Sequence, residues 1–186
     1  MSKKLVVFGA SSSRQSINKK FANYAAHQVA DAEVNLLDLN DYEMPIYSID
    51  KEKGTGIPQL AHDFKQQIID SDGIVISFAE HNGAYSTAFK NIFDWISRID
   101  KNVWMNKPML LLATSPGGRG GKTVLDIAVN KFRFMNENTM VNFSLPSFMK
   151  NFSTEEGILD EELRQAFMTQ LQLFTEALSK DLVSSE

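Results

Sequence analysis

Apolar runs alternate with amphipathic stretches along the whole chain. The runs are short and rich in β-forming residues, as in Leu5-Val6-Val7-Phe8, which is typical of strands buried on both faces. The stretches between them repeat apolar residues three or four positions apart, which predicts helices. The predicted strands are residues 5–8, 34–39, 74–78, 109–113 and 140–145, and the predicted helices are residues 17–29, 58–70, 86–99, 122–135 and 160–183.

Alternating strands and helices predict an α/β fold with a parallel sheet, covered on both faces and joined by right-handed crossovers. The strand at 140–145 alternates apolar and polar residues, which predicts an edge strand. At 186 residues we expect one domain that spans residues 1–186.

The long connection at residues 40–57 has no predicted element, and such connections are usually functional or mobile. Its apolar residues suit a cover over a ligand, but packing on the edge of its own sheet explains them equally well. These residues are Tyr42, Met44, Pro45, Ile46 and Tyr47.

The predicted helix 86–99 is apolar around most of its circumference, whereas one sheet face buries only a stripe. Its apolar residues are Ala88, Phe89, Ile92, Phe93, Trp95, Ile96 and Ile99. The excess predicts a subunit interface, and burial beneath residues 40–57 is the alternative.

Composition narrows the function classes. A hydrophobic content of 43% and a charged content of 23% are ordinary for a globular protein, and a net charge of −4 argues against nucleic-acid binding. The lack of cysteine excludes disulfides, thiolate nucleophiles and cysteine zinc sites. No histidine–carboxylate spacing predicts a metal site. No run is long enough to span a membrane, and the N-terminal run is too short for a signal peptide, so we expect a cytoplasmic protein.

Three polar or glycine-rich loops each follow a predicted strand. They are residues 9–18, 79–84 and 115–121. Open α/β sheets bind ligands beyond the carboxyl ends of their strands, so three such loops are expected to meet at one ligand.

The first loop predicts a phosphate site. Its side-chain donors are Ser11, Ser12, Ser13, Ser16 and Asn18. The following helix adds unpaired N–H groups, Arg14 adds a charge, and Gly9 permits a tight turn. Helix capping explains the same serines and asparagine. The dinucleotide fingerprint G-x-G-x-x-G is absent.

The second loop carries the turn signal Asn82-Gly83, and Gly83 permits the close approach of a planar ligand. His81 has a ring that stacks on or donates to such a ligand, although a single loop histidine is more often solvated. His27 and His62 lie on predicted helices and are interpreted as structural.

The third loop ends in Gly120-Gly121-Lys122-Thr123, which is similar to a nucleoside-triphosphate loop. That pattern requires glycine where Pro116 stands, and the segment follows the fourth strand, so we reject a triphosphate hydrolase. A glycine-lined wall against a flat heterocycle is the preferred interpretation, and a flexible surface loop is the alternative.

Together the three loops resemble those of the NAD(P)H-dependent FMN reductase family, over roughly residues 4–146. The first resembles G-S-x-R-x-x-S-x-N, the second resembles P-E-Y-N-G-S followed by L-K-N-x-x-D-W, and the third resembles S-P-G-x-x-G-G. The resemblance implies a flavodoxin-like, doubly wound sheet of five parallel strands in the order 2-1-3-4-5, with helices on both faces.

The resemblance also implies the site residues. FMN would be held by Ser11, Ser13, Arg14, Ser16, Ile17 and Asn18 around the phosphate, by Ala79, Glu80, His81, Asn82 and Gly83 around the isoalloxazine and ribityl, and by Ser115, Pro116, Gly117 and Gly118 on the pyrimidine side. The chain departs from the pattern at Ala79 for proline, His81 for tyrosine and Ala84 for serine, although His81 retains a flat ring.

The expected function is therefore an oxidoreductase with FMN and NADPH (or NADH), acting on a flavin, quinone, azo or other small acceptor by a ping-pong mechanism. No catalytic side chain is expected, because the cofactor carries the chemistry. The resemblance also implies a homodimer or homotetramer. A flavodoxin-like electron carrier is the alternative, disfavoured by Arg14 and the modest net charge. A partner-binding domain that has lost flavin is a third.

Overall fold

A computed structural model describes residues 2–180, and its centre is a parallel sheet of five strands. The strands are β1 (Lys3–Ala10), β2 (Ala32–Leu37), β3 (Gly73–Phe78), β4 (Met109–Thr114) and β5 (Met140–Leu145). Their order is β2-β1-β3-β4-β5, and every neighbouring pair is parallel. The predicted fold and strand order are confirmed.

The burial of each strand follows its place in the sheet. All residues of β3 and β4 are buried, as expected for central strands with helices on both faces. The outer strands β2 and β5 alternate between more and less exposed residues. The prediction that residues 140–145 form an edge strand is therefore confirmed.

Five helices cover the two faces of the sheet. They are α1 (Ile17–His27), α2 (Gln59–Ile69), α3 (Thr87–Ile99), α4 (Lys122–Phe132) and α5 (Glu161–Lys180). Helices α1 and α5 pack on one face around Phe21 and Phe174. The other three pack on the opposite face around Phe64, Phe89 and Val124.

Two predicted helices extend beyond the observed ones. Helix α1 ends at His27 rather than at residue 29, and α4 ends at Phe132 rather than at residue 135. After Phe132 the chain closes tighter turns, in which Met135 N–H donates to the Phe132 carbonyl at 2.7 Å. The predicted end of the last helix at residue 183 lies outside the described residues.

Residues 40–57, the covering segment, contain more regular structure than predicted. A 3₁₀ turn runs over Leu39–Tyr42, and a short helix, the loop helix, runs over Ile49–Thr55. Both begin at a local cap, since Asp38 accepts from the Asn40 N–H and Ser48 accepts from the Lys51 N–H. The capping side chains were the signal in the sequence that periodicity alone did not detect.

The covering segment packs against α3. Trp95 Nε1 donates to the Pro45 carbonyl at 2.8 Å, and Asn91 Nδ2 donates to the Met44 carbonyl at 3.0 Å. The rings of Tyr47 and Trp95 meet edge to face at 5.0 Å. Trp95 is therefore 1% exposed in a single chain. Burial beneath residues 40–57 accounts for the apolar circumference of α3, which no longer argues for a subunit interface.

Smaller elements complete the described chain. Residues Glu80–His81 and Ala84–Tyr85 form one antiparallel ribbon, and Phe152–Ser153 and Gly157–Ile158 form another. A single helical turn at Phe148–Asn151 lies between β5 and the second ribbon. Within residues 2–180, every helix is too short or too polar to cross a membrane.

Candidate functional site

The three loops meet at one edge of the sheet. Strands β1, β3 and β4 are neighbours, so their carboxyl ends lie side by side. A pocket of about 230 Å³, the three-loop pocket, opens there. It is lined by Ser11, Ser13, Gln15, Ser16, Ile17 and Asn18, by Ala79, Glu80 and His81, and by Thr114, Ser115 and Pro116.

The other predicted site residues flank this pocket. Arg14 is exposed within the first loop, and Asn82 and Gly83 form the turn of the ribbon beyond His81. Gly117 and Gly118 are exposed and continue the third loop from Pro116.

The first loop brings the N-terminus of α1 against the end of β1. A Cβ atom at Gly9 would stand 2.6 Å from the Lys19 Cα, so only glycine allows this approach. The backbone N–H groups of Ile17 and Asn18 head the helix, where no carbonyl of the helix precedes them. Such free N–H groups, together with the helix dipole, favour an anion.

The serines of the first loop cap the helix and still have donors to offer. Ser16 Oγ accepts from the Lys19 N–H at 3.1 Å, and Ser11 Oγ accepts from the Ser13 N–H at 3.1 Å. A hydroxyl that accepts one bond retains its own proton as a donor. Helix capping and phosphate binding, the two interpretations of this loop, are therefore compatible.

Asn18 is a cross-link between elements. Its side chain is buried, with Nδ2 donating to the Thr114 carbonyl at 3.1 Å. Its Oδ1 accepts from Ser77 Oγ at 2.7 Å and from the Thr114 N–H at 3.0 Å. The side chain thus ties α1 to the ends of β3 and β4, and the backbone N–H of Asn18 is the part left for an anion.

Ser77, Ser86 and Thr114 are positioning residues that sequence reasoning missed. Ser86 Oγ donates to the Ala10 carbonyl at 2.7 Å while capping α3. Thr114 Oγ1 donates to the Leu145 carbonyl at 2.8 Å. For Ser77 and Thr114 the available signal was a polar residue inside or directly after an apolar strand, and for Ser86 it was a serine at the start of a predicted helix.

The second loop is a tight hairpin that a hydrogen bond connects to helix α4. Asn82 and Gly83 have φ angles of 52° and 75°, as a two-residue type I′ turn requires. Glu80 Oε2 accepts from the Val124 N–H at 3.2 Å, in the first turn of α4. The N-cap of α4 is Gly121, which has no side chain to offer, so Glu80 supplies the acceptor.

His81 and Tyr85 lie on opposite sides of this hairpin. His81 is exposed at the rim of the pocket. Tyr85 packs between Phe78 and Phe89. Its hydroxyl is buried with no hydrogen-bond partner among residues 2–180, and this burial raises the pKa of Tyr85 above its ordinary value. The phenol is therefore neutral at ordinary pH.

The glycines of the third loop fall into two pairs. Gly117 and Gly118 are exposed, with space for a ligand beside them. Gly120 and Gly121 are buried at φ angles of 60° and 72°. A Cβ at Gly120 would stand 2.9 Å from the Pro146 N, so this pair serves packing. The glycine-lined wall is thus confined to the first pair.

The third loop is held to the segment after β5. Ser147 N–H donates to the Gly117 carbonyl at 2.9 Å, and Phe148 N–H donates to the Ser115 carbonyl at 3.0 Å. These bonds argue against the alternative of a flexible surface loop.

Charge at the first loop comes from two basic residues with different surroundings. Lys19 Nζ lies 2.6 Å from Asp38 Oδ2. The Lys19 hydrogen bond, followed by that from the Asn40 N–H, lowers the pKa of Asp38 from 3.8 to about 2. The Lys19 side chain is therefore already paired within the protein. Arg14 is exposed and forms no ion pair with another residue of the described range, so it remains available to an anion.

The donor set of the pocket fits FMN. Hydroxyls, helix N–H groups and Arg14 suit a phosphate. Beside the pocket, Gly117 and Gly118 have no side chains and leave open space for a flat ring. Among residues 2–180, no group of three His, Asp or Glu side chains is placed to hold a metal ion.

Comparison with known proteins agrees with this chemistry. A family model described as NADPH-dependent FMN reductase matches residues 3–152. A 2-hydroxy-1,4-benzoquinone reductase from Burkholderia sp is 35% identical over 122 residues, which cover 64% of each chain. An NADPH:quinone oxidoreductase from Arabidopsis thaliana is 28% identical over 154 residues, which cover 79% of this chain and 76% of that relative.

Solved structures share the fold. The flavoenzyme NAD(P)H:(acceptor) oxidoreductase FerB from Paracoccus denitrificans superposes with a TM-score of 0.73 at 24% identity, covering 96% of this chain and 98% of that one. The chain spans less than two thirds of the length of the Burkholderia relative.

Proposed function

The chain belongs to the NADPH-dependent FMN reductase family, and we propose that its three-loop pocket is the FMN site of an oxidoreductase that takes hydride from a nicotinamide donor. FMN and NAD(P)H are the cofactors of this family. The observation that carries the proposal is the meeting of three loops of different chemistry in one pocket. Each loop corresponds to one part of the cofactor.

The first loop would hold the phosphate. Ser11, Ser13 and Ser16 offer hydroxyl donors, and the N–H groups of Ile17 and Asn18 add the helix terminus. Arg14 adds an exposed charge beside the pocket. This arrangement binds a dianion without requiring a net positive protein, which agrees with the charge of −4.

The other two loops would hold the ring system by backbone contacts. Residues 79–83 present the hairpin edge, and residues 115–118 present backbone with open space at Gly117 and Gly118. His81 contributes an aromatic ring to the lining of the pocket. Glu80 contributes indirectly, by fixing the hairpin to α4.

When bound, FMN supplies the hydride chemistry, so the protein has to bind and orient the cofactor and its substrates and to shield them from water. The polar side chains at the base of the pocket are engaged with one another, as Asn18, Ser77 and Thr114 illustrate. None of them is free to act as a general acid or base. We therefore propose no catalytic role for these three side chains.

The acceptor is a small molecule, and we propose a flat quinone-type compound. The named relatives reduce quinones, and the glycine pair leaves a face that a planar molecule can reach. One face used in turn by donor and acceptor gives ping-pong kinetics. Initial-rate lines that stay parallel when both substrates are varied support this, and converging lines contradict it.

We also propose a homodimer or homotetramer that acts in the cytoplasm, where nicotinamide donors are supplied. The covering segment leaves Ile46 67% exposed and Ile49 47% exposed, which suits contact with a second copy. Multi-angle light scattering tests this directly, and a monomeric mass at micromolar concentration contradicts it.

A visible spectrum discriminates the proposed enzyme from its alternatives. The protein is titrated with FMN, and NADPH or NADH is then added without oxygen. Rapid bleaching of the flavin band supports the enzyme. Bound flavin that neither nucleotide reduces indicates an electron carrier, and failure to bind FMN indicates a domain that has lost its cofactor.

A further inference from the structure

A second groove runs away from the three-loop pocket along α4. Its volume is about 990 Å³. One wall is the outer face of α4 and its flanks, including Arg119, Lys122, Ile127, Lys131 and Phe134. The other wall is formed by Ser144 and Pro146 at the end of β5, with Leu163 of α5. None of these residues has a role in the FMN site described above.

The groove begins beside the proposed flavin site, since Ser115 and Pro116 of the third loop line the three-loop pocket. Gly118 and Arg119 belong to the third loop and also line the groove. From Lys122 to Lys131 the helix rises about 14 Å, at about 1.5 Å per residue. A ligand with one end at Gly118 and the other at Lys131 is therefore long, comparable to an extended dinucleotide.

The charge of the groove is positive although that of the chain is negative. Three cations, Arg119, Lys122 and Lys131, face one carboxylate, Asp126. Asp126 is already paired with Lys122 at 3.0 Å. Arg119 donates to Thr123 Oγ1 at 2.8 Å, which fixes its guanidinium at the head of the groove. Lys131 forms no ion pair with any residue between 2 and 180.

The far end of the groove is apolar and flat. Phe134 is 77% exposed, and Ile127, one helical turn before Lys131, is 38% exposed. The Arg133 guanidinium lies 4.9 Å from the Phe134 ring centroid and covers one face. The second face of the ring is available for stacking with a planar group.

We propose that the α4 groove binds the phosphorylated adenosine end of the nicotinamide donor, with Lys131 at its 2′-phosphate and Phe134 against its base. Arg119 lies nearer the flavin, where the linking diphosphate of the same donor would pass. The proposal rests on the proposed function, because the third loop borders both the FMN site and the groove, and this favours a dinucleotide over other anions that carry a flat group. A contact between Lys131 and the 2′-phosphate, which NADH lacks, would make the chain prefer NADPH.

Adenosine 2′,5′-bisphosphate, which has no nicotinamide, is the probe. Its affinity is measured by titration calorimetry on the full protein with and without FMN. We expect binding to the wild type and a loss of about fivefold in Lys131→Met, since a surface charge pair contributes up to about 1 kcal/mol. Phe134→Ala is expected to weaken the probe similarly, and Lys101→Met, an exposed lysine outside the groove, is the matched control.

Outcomes that overturn the proposal are distinct from those that overturn the function. If NADPH bleaches the flavin while the probe fails to bind at millimolar concentration, the groove proposal is wrong and the function stands. If the probe binds through Lys131 while neither nucleotide bleaches the flavin, the function is wrong, and the groove is a nucleotide site that serves no nicotinamide donor. If the variants change the mass in light scattering with no change in probe affinity, the groove is a contact between copies and the proposal is wrong.

Discussion

The carboxylate of Glu80 caps the first turn of α4, accepting a hydrogen bond from the Val124 N–H at 3.2 Å. Glu80 belongs to the loop after β3, whereas Val124 follows the loop after β4. The bond therefore fixes the second and third loops to each other and sets the width of the three-loop pocket between them. A negative charge at a helix N-terminus is also favoured by the helix dipole.

Removing this cap is predicted to weaken FMN binding. Glu80→Ala leaves the Val124 N–H without its acceptor and frees the hairpin, which costs about 1 kcal/mol in stability. We expect a several-fold weaker FMN affinity in a fluorescence titration. Glu80→Gln retains an acceptor oxygen and is expected to recover most of it. Equal affinities in Glu80→Ala and in the control Glu156→Ala, which changes an exposed glutamate, contradict the role of the cap.

Asn18 is predicted to matter for stability before any ligand binds. Asn18→Ala removes a buried cross-link and leaves the Ser77 hydroxyl and the Thr114 N–H unsatisfied, at a cost of about 2–4 kcal/mol. Urea unfolding of the protein without FMN measures this loss. Ser13→Ala, at an exposed position of the same loop, is expected to leave the unfolding midpoint unchanged and to weaken FMN. An unchanged unfolding midpoint in Asn18→Ala, together with weaker FMN binding, would contradict the structural role of Asn18.

The two glycine pairs of the third loop are predicted to respond differently to alanine. Gly120→Ala places a Cβ against β5 at a positive φ and is expected to cost about 2 kcal/mol or more in stability. Gly118→Ala meets open space, so we expect a stability change below about 1 kcal/mol and a weaker FMN affinity. Thermal unfolding and flavin titration together separate these effects. Equal destabilisation by the two substitutions contradicts the division.

Tyr85→Phe is predicted to be neutral or stabilising. The Tyr85 hydroxyl is buried without a partner in the described part of the chain, so folding removes it from water with no compensating bond. Its removal is expected to raise the free energy of unfolding by up to about 1 kcal/mol, measured in urea. A loss of stability would reveal a hydrogen bond to this oxygen. The aromatic contacts with Phe78 and Phe89 are retained in the variant.

The Lys19–Asp38 pair predicts a stability change in acid. Asp38 has a pKa lowered from 3.8 to about 2 in the folded protein, so its contribution is present above pH 4 and is lost as the pH falls toward 2. Because both side chains are partly exposed, the contribution is about 1 kcal/mol. The difference in unfolding free energy between wild type and Asp38→Asn is expected to shrink over that interval. A difference that stays constant from pH 6 to pH 2.5 contradicts this assignment.

The sequence by itself determined the sheet and the place of the site. Apolar residues follow one another in buried strands and recur every three or four positions in amphipathic helices. Both patterns involve residues close in sequence, so they can be recognised along the chain. The family motifs then implied the strand order, which placed the loops after β1, β3 and β4 side by side. The three-loop pocket followed from that adjacency.

Only the tertiary structure decided what each polar side chain does. The motifs imply that Asn18 and Glu80 bind the ligand, but the side chains of both bond to other parts of the protein. Their partners, Thr114 and Val124, lie 96 and 44 positions away. The cover over Trp95 likewise comes from Pro45, 50 positions before it. A hydrogen bond between distant residues leaves no local period, because its geometry exists only once the sheet has brought both partners together. The sequence therefore determined which loops meet at the pocket, and the packing decided which of their polar groups stay free for a ligand and which hold other groups in place.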